Sequence, residues 1–110
     1  MSKEQIIREL MEKVHRKVEA DPELKKELMP IKKTLNLDLG EEAYSVRLEN
    51  AEMTDFIAEL RDDADITVIT TPENFQALVD GTLKPMKAYL LKKIKIKGKL
   101  DDLMKLKKFL

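Results

Sequence analysis

Residues 66–75 read Ile66-Thr67-Val68-Ile69-Thr70-Thr71-Pro72-Glu73-Asn74-Phe75. The first five are all β-branched, the side-chain type that packs best on a pleated surface, so they are expected to form a strand. A near-continuous apolar run suits a central position in a sheet. The chain then changes character at once. Thr71 can cap a helix, Pro72 suits its first position because the missing N–H would be unsatisfied there anyway, and Glu73 complements the dipole. Phe75, Leu78 and Val79 share one face of that helix, and Gly81 ends it.

Upstream of this junction the pattern is helical first and then alternating. Ile6, Ile7, Leu10, Met11, Val14 and Val18 recur at three- and four-residue spacing, which predicts an amphipathic helix over residues 3–19. Asp21-Pro22 reads as cap and first residue of a second, short helix that Pro30 stops. From there the period drops to two. Leu35, Leu37 and Leu39 alternate with polar residues, as do Tyr44, Val46 and Leu48 beyond the Gly40-Glu41-Glu42 turn. Asn50-Ala51 is a weaker turn signal than Asn-Gly. Residues 52–57 alternate poorly at Met53, Asp55 and Phe56, so a third strand and a helix through Leu60 both remain open. Asp62-Asp63-Ala64 is loop.

Downstream, Pro85 opens a short helix with Met86, Tyr89 and Leu90 on one side. Ile94-Lys95-Ile96-Lys97-Gly98 is a short strand with its lysines outward. Leu100, Leu103, Met104, Leu106 and Leu110 predict a C-terminal amphipathic helix. Helices and strands without a regular strand-helix-strand repeat make an α+β fold.

The chain has 110 residues, room for one domain rather than two. Charged residues make up 38 %, yet 21 basic and 21 acidic side chains cancel, which excludes a globally basic nucleic-acid binder. The cancellation hides an asymmetry. Residues 84–110 carry ten lysines against two aspartates, whereas residues 34–83 carry two arginines against twelve acids. Absent cysteine removes disulfides, thiol nucleophiles and cysteine zinc sites, and a single histidine, His15, removes multi-histidine metal sites. His15 is expected at the edge of the first helix's apolar face. The acid pairs Glu41-Glu42, Asp62-Asp63 and Asp101-Asp102 fall at turns or a helix start, where such residues solvate or cap. No phosphate loop, zinc-protease or nucleophile-elbow motif occurs. The expectation is therefore no catalytic residue, no metal and no cofactor. No secretory signal or membrane-length apolar run is visible, which makes a cytoplasmic location the expectation.

The C-terminal half carries an ordered set of residues at fixed spacing. It begins with Ala64-Asp65-Ile66-Thr67-Val68, continues through Phe75-x-x-Leu78-x-x-Gly81, Leu83-x-Pro85 and Ala88-Tyr89, and ends with Lys93-Ile94-Lys95-Ile96-x-Gly98 and Lys105-Leu106. This resembles the sterol carrier protein type-2 family, with Val46-Arg47-Leu48-Glu49-Asn50 similar to its hairpin strand. Three positions depart from the pattern: Ala51 replaces a turn glycine, Lys92 replaces a common glycine, and Lys99 replaces a common Asp or Asn. A non-glycine residue in a left-handed backbone costs about 1–2 kcal/mol, so the expectation at Lys92 is that the local turn differs.

The resemblance implies one stand-alone domain over residues 1–110, with a five-stranded, mostly antiparallel sheet covered on one face by helices. It further implies an apolar tunnel between sheet and helices that holds a fatty acid, acyl-CoA, sterol or other lipid without catalysis. The helix faces that would then line it are Phe75, Leu78 and Val79, then Met86, Tyr89 and Leu90, then Leu100, Leu103 and Met104. A dry void of about 300 Å³ would cost roughly 7 kcal/mol, a large part of the ~5–15 kcal/mol that stabilises a domain. Ligand or water therefore fills such a tunnel, or residues 99–110 act as a cover that collapses onto the sheet. Lys105, Lys107 and Lys108 are candidates for transient contact with an anionic membrane. The same fold with a filled cavity would instead be an interaction or dimerisation module, so the expected state is monomer or homodimer.

Overall fold

The computed structural model describes residues 2–99 and 101. Its elements are α1 (Glu4–Ala20), α2 (Pro22–Leu28), β1 (Lys33–Asp38), β2 (Ala43–Glu49), β3 (Glu52–Ile57), β4 (Ile66–Ile69), α3 (Pro72–Asp80), α4 (Pro85–Leu90) and β5 (Lys95–Gly98). Asp101 is helical. The rest of the expected C-terminal helix, including Leu100, Leu103, Met104, Lys105, Lys107 and Lys108, lies outside the described residues.

The helix starts follow from capping. The Asp21 carboxylate accepts from the N–H groups of Glu23 and Leu24 at 3.1 and 3.2 Å, and the Thr71 hydroxyl accepts from Asn74 N–H at 3.1 Å. Glu42 does the same for α1 from a distance in sequence. Its carboxylate accepts from the backbone N–H of Lys3 at 2.6 Å and from the Tyr44 hydroxyl at 3.0 Å, which ties the helix start to the sheet.

The strands form one sheet in the order β3-β2-β1-β4-β5. Three of its pairings are antiparallel, and β1 runs parallel to β4, with Leu35 opposite Ile66. Parallel neighbours cannot be joined by a tight turn, so the chain must cross from β3 to β4 over two other strands. It does so on the polar face, and reciprocal bonds pin it there. Asn36 Nδ2 donates to the Arg61 carbonyl at 2.8 Å, and Arg61 N–H donates to Asn36 Oδ1 at 3.0 Å.

The apolar face packs against the helices in one layer. Val14 and Val18 of α1 and Leu24 and Leu28 of α2 meet Leu48 and Ile66 in the main core. Ile7 meets Leu39, Tyr44 and Phe75 in a second cluster, and Leu83, Ala88 and Ile94 form a third under α4.

Two turns place non-glycine residues in the left-handed region. The β2–β3 turn has both Asn50 and Ala51 in the left-handed region, at φ 54° and 61°. That is the geometry a two-residue hairpin requires, achieved here without glycine, and the Ala51 methyl is buried in the core as partial compensation. At Lys92 the expectation of a different turn is corrected. Lys92 takes φ 60°, its N–H donates to the Tyr89 carbonyl, and Lys93 N–H donates to the Ala88 carbonyl. This paired pattern closes a helix with a left-handed residue, so the strain is accepted rather than avoided.

Candidate functional site

The sheet presents Leu35 and Leu37 from β1, Tyr44 and Val46 from β2, and Ile66 and Val68 from β4 toward the helix layer. Above them α1 supplies Ile7, Leu10, Met11 and Val14. The two layers do not close fully. Between them lies a cavity of about 260 Å³ whose remaining walls come from β3, α3, α4 and β5. A dry, enclosed void of that volume would cost about 6 kcal/mol, a large part of the stability of a domain this size.

A bulge shapes one wall. The β2–β3 register slips by one residue between Ser45 and Arg47, and Asp55 takes φ 53°. Residues three apart in a regular strand face opposite sides. The extra residue restores the phase, and both Met53 and Phe56 line the cavity. The Arg61 guanidinium holds the bulge by donating to the Asp55 carbonyl at 2.6 Å, and the Arg47 guanidinium stands 3.6 Å from the Asp55 carboxylate. Phe56 stacks on Tyr44 with ring centres 5.6 Å apart, and the Arg8 guanidinium covers the Phe56 ring at 4.8 Å.

Chemically the lining is almost uniform. No charged residue lines the cavity among the described residues, and its side-chain hydroxyls are those of Tyr44 and Tyr89. Asn36 and Ser45 alternate with the helix-facing Leu35, Leu37, Tyr44 and Val46 and turn their side chains to the other face of the sheet. Tyr44 is buried, and burial, reinforced by its bond to Glu42, raises its pKa above the ordinary 10.0. Its hydroxyl is thus a neutral donor already in use. Tyr89 and Met86 line the cavity and are also 39 % and 38 % exposed, which puts them at its mouth. Three methionines, Met11, Met53 and Met86, contribute flexible walls that adapt to different shapes. Such a surface is suited to an apolar molecule, and among the described residues it carries no carboxylate, histidine or thiol.

Of the residues singled out from the sequence, Phe75, Leu78, Val79, Met86 and Tyr89 line this cavity. Leu90 does not: it is 73 % exposed and belongs to the outer surface. The correction has a simple cause. In a helix of six residues Met86 sits three positions from Tyr89 and four from Leu90, and the structure turns the first pair inward. Leu100, Leu103 and Met104 lie outside the described residues. Sequence reasoning missed the α1 wall. Its apolar stripe was legible as a buried face, but periodicity does not say what the face is buried against. His15, expected at the edge of that stripe, accepts a hydrogen bond from the Met53 N–H at 2.9 Å.

The profile of the SCP-2 sterol transfer family matches residues 11–110. Comparison with curated proteins by sequence returns no match. Solved structures share the fold. The palmitated sterol carrier protein 2-like 2 of Aedes aegypti is 24 % identical with a TM-score of 0.71, over 98 % of this chain and 93 % of its own. A possible sterol carrier protein of Thermus thermophilus is 17 % identical with a TM-score of 0.63, over 91 % and 80 %. The inverting sec-alkylsulfatase of Pseudomonas sp. is 20 % identical with a TM-score of 0.67, over 78 % of this chain, which spans only 14 % of the sulfatase.

Proposed function

The chain belongs to the SCP-2 sterol transfer family, and from that premise we propose that it binds and transfers a hydrophobic ligand in the cavity between sheet and helices, without catalysis. The observation that carries this reading is the volume and chemistry of the site: about 260 Å³, walled by aliphatic, aromatic and thioether groups. That volume lies near the lower end for ligand pockets, which suits one acyl chain. Candidate ligands are a fatty acid, a fatty acyl-CoA, a sterol or another lipid. The Aedes aegypti relative is palmitated, so palmitate is the first ligand to try.

In this reading residues 1–110 act as one lipid-binding unit in the cytoplasm. Phe75, Leu78, Val79, Met86 and Tyr89 hold the chain, together with the α1 residues above them. Leu100, Leu103 and Met104 are proposed as further ligand contacts, and Lys105, Lys107 and Lys108 as contacts to anionic membranes. No helix among the described residues is long and apolar enough to cross a membrane.

Native mass spectrometry of the purified protein tests this first: one co-purified lipid per chain is expected. Titration of delipidated protein with a fluorescent fatty acid tests it independently. A chain that arrives without lipid and takes up none of the probe is a packed interaction module and overturns the carrier reading.

A further inference from the structure

α4 and the turn after it are the least buried apolar part of the described residues. Leu90 is 73 % and Leu91 55 % exposed, and Met86 and Tyr89 follow beside them. Met86 and Tyr89 belong to the cavity mouth, so one apolar surface runs from the cavity lining out to solvent. From Lys84 to Lys99 the chain has seven lysines and no acid. Lys84, Lys87, Lys92 and Lys93, which flank the two leucines, are all exposed. The carboxylate ion pairs among the described residues involve none of the four.

The backbone adds an independent observation. Lys92 holds the left-handed position that closes α4, where glycine would be free of strain. Among the described residues its side chain finds no hydrogen-bond or ion-pair partner that would offset this inside the fold. Strained backbone positions concentrate at functional sites, which makes the exposed Lys92 a candidate for a role at this surface.

We propose that this face, Met86 to Lys93, settles the protein on an anionic lipid bilayer, with Leu90 and Leu91 entering the interface and Lys84, Lys87, Lys92 and Lys93 meeting the head groups. Apolar residues ringed by lysine are the chemistry of interfacial attachment. A second copy fits poorly, because a two-fold contact would set the same lysines against each other. A bilayer fits the charge, and it also sets the cavity mouth against the lipid phase, so a ligand passes between them without crossing water. This last step rests on the lipid-binding reading; the docking itself does not.

The test is co-sedimentation with phosphatidylcholine vesicles containing one third phosphatidylserine, at low and high salt. Each lysine near an anionic surface strengthens attachment about fivefold, so the K84Q/K87Q/K92Q/K93Q variant is expected to lose at least a hundredfold together with its salt dependence. The L90Q/L91Q variant is expected to lose tenfold or more. As the chain has no cysteine, L90C with an environment-sensitive label reports insertion, and T54C on β3 serves as the silent control. All variants are expected to bind fluorescent palmitate in vesicle-free buffer as the parent does. Sedimentation with palmitate binding absent leaves the docking standing and refutes the carrier reading. Unchanged sedimentation of both variants overturns the proposal. So does a Leu90-dependent dimer by light scattering without vesicle binding, which would name a second copy as the occupant.

Discussion

The Nε2 of His15 accepts the backbone N–H of Met53 at 2.9 Å, across 38 residues of sequence. One partner stands on α1 and the other on the edge strand β3, so this bond fixes the separation of two cavity walls. Met53 N–H is partly buried, and losing its acceptor costs about 1–3 kcal/mol. His15→Leu is expected to lower the melting temperature by several degrees, and His15→Gln, which keeps an acceptor, by less. Hydrogen exchange at Met53 should rise in the leucine variant. Unchanged protection there would show that the bond contributes nothing.

Lys92 supplies the opposite kind of variant. Lys92→Gly relieves a left-handed residue worth about 1–2 kcal/mol, offset in part by about 0.5–1 kcal/mol of extra chain entropy. A net gain of about 0.5–1 kcal/mol, or about 4 °C, is expected in thermal unfolding. Vesicle attachment should weaken about fivefold at the same time. Stability and docking thus move in opposite directions at one residue.

Gly98 pairs with Ile66 at φ 110°, and a Cβ there would collide with the Asp65 carbonyl. Backbone cannot yield as a flexible side chain can. Gly98→Ala is expected to cost about 3 kcal/mol and to loosen β5 first, read as lost exchange protection at Lys95 and Lys97. This collision is the physical reason for glycine at the end of the Lys93–Gly98 stretch.

These residues also show what was legible beforehand. Thr71-Pro72 and Asp21-Pro22 announced their helices because capping is local chemistry. The strands through Leu37 and Val46 announced themselves because alternation is local too. β3 was ambiguous for a definite reason: the bulge at Asp55 puts Met53 and Phe56 on one face at a spacing that mimics a helix. The parallel β1–β4 pairing and the α1 wall of the cavity depend on partners far away in sequence. No pattern within either segment encodes them, and only the family resemblance pointed toward a cavity at all.

Tyr44 gives a pH dependence with a definite sign. Burial and the bond to Glu42 raise its pKa above 10.0, so the folded state holds the phenolic proton more tightly than the unfolded chain. The resulting stability is fully present below pH 10.0 and is lost as pH rises through the folded value. Unfolding by base should therefore begin above about pH 10. Tyr44→Phe should flatten that limb of the pH profile while costing about 1 kcal/mol at neutral pH for the lost hydrogen bond. A base-induced transition identical in the two proteins would assign it to other groups.

Val46 separates a ligand site from an ordinary core. It lines the cavity from the middle of β2 but belongs to none of the packed clusters. In a close-packed interior, Val46→Phe would overpack and cost about 1–3 kcal/mol. In a cavity of about 260 Å³ the larger ring has room, and it adds apolar contact in a residue type that strands favour. The expected result is a melting temperature unchanged or raised, with fluorescent palmitate affinity reduced tenfold or more. Destabilisation together with unaltered palmitate binding would place the acyl chain elsewhere. The two readouts move apart only if the space in front of Val46 is the space the ligand occupies.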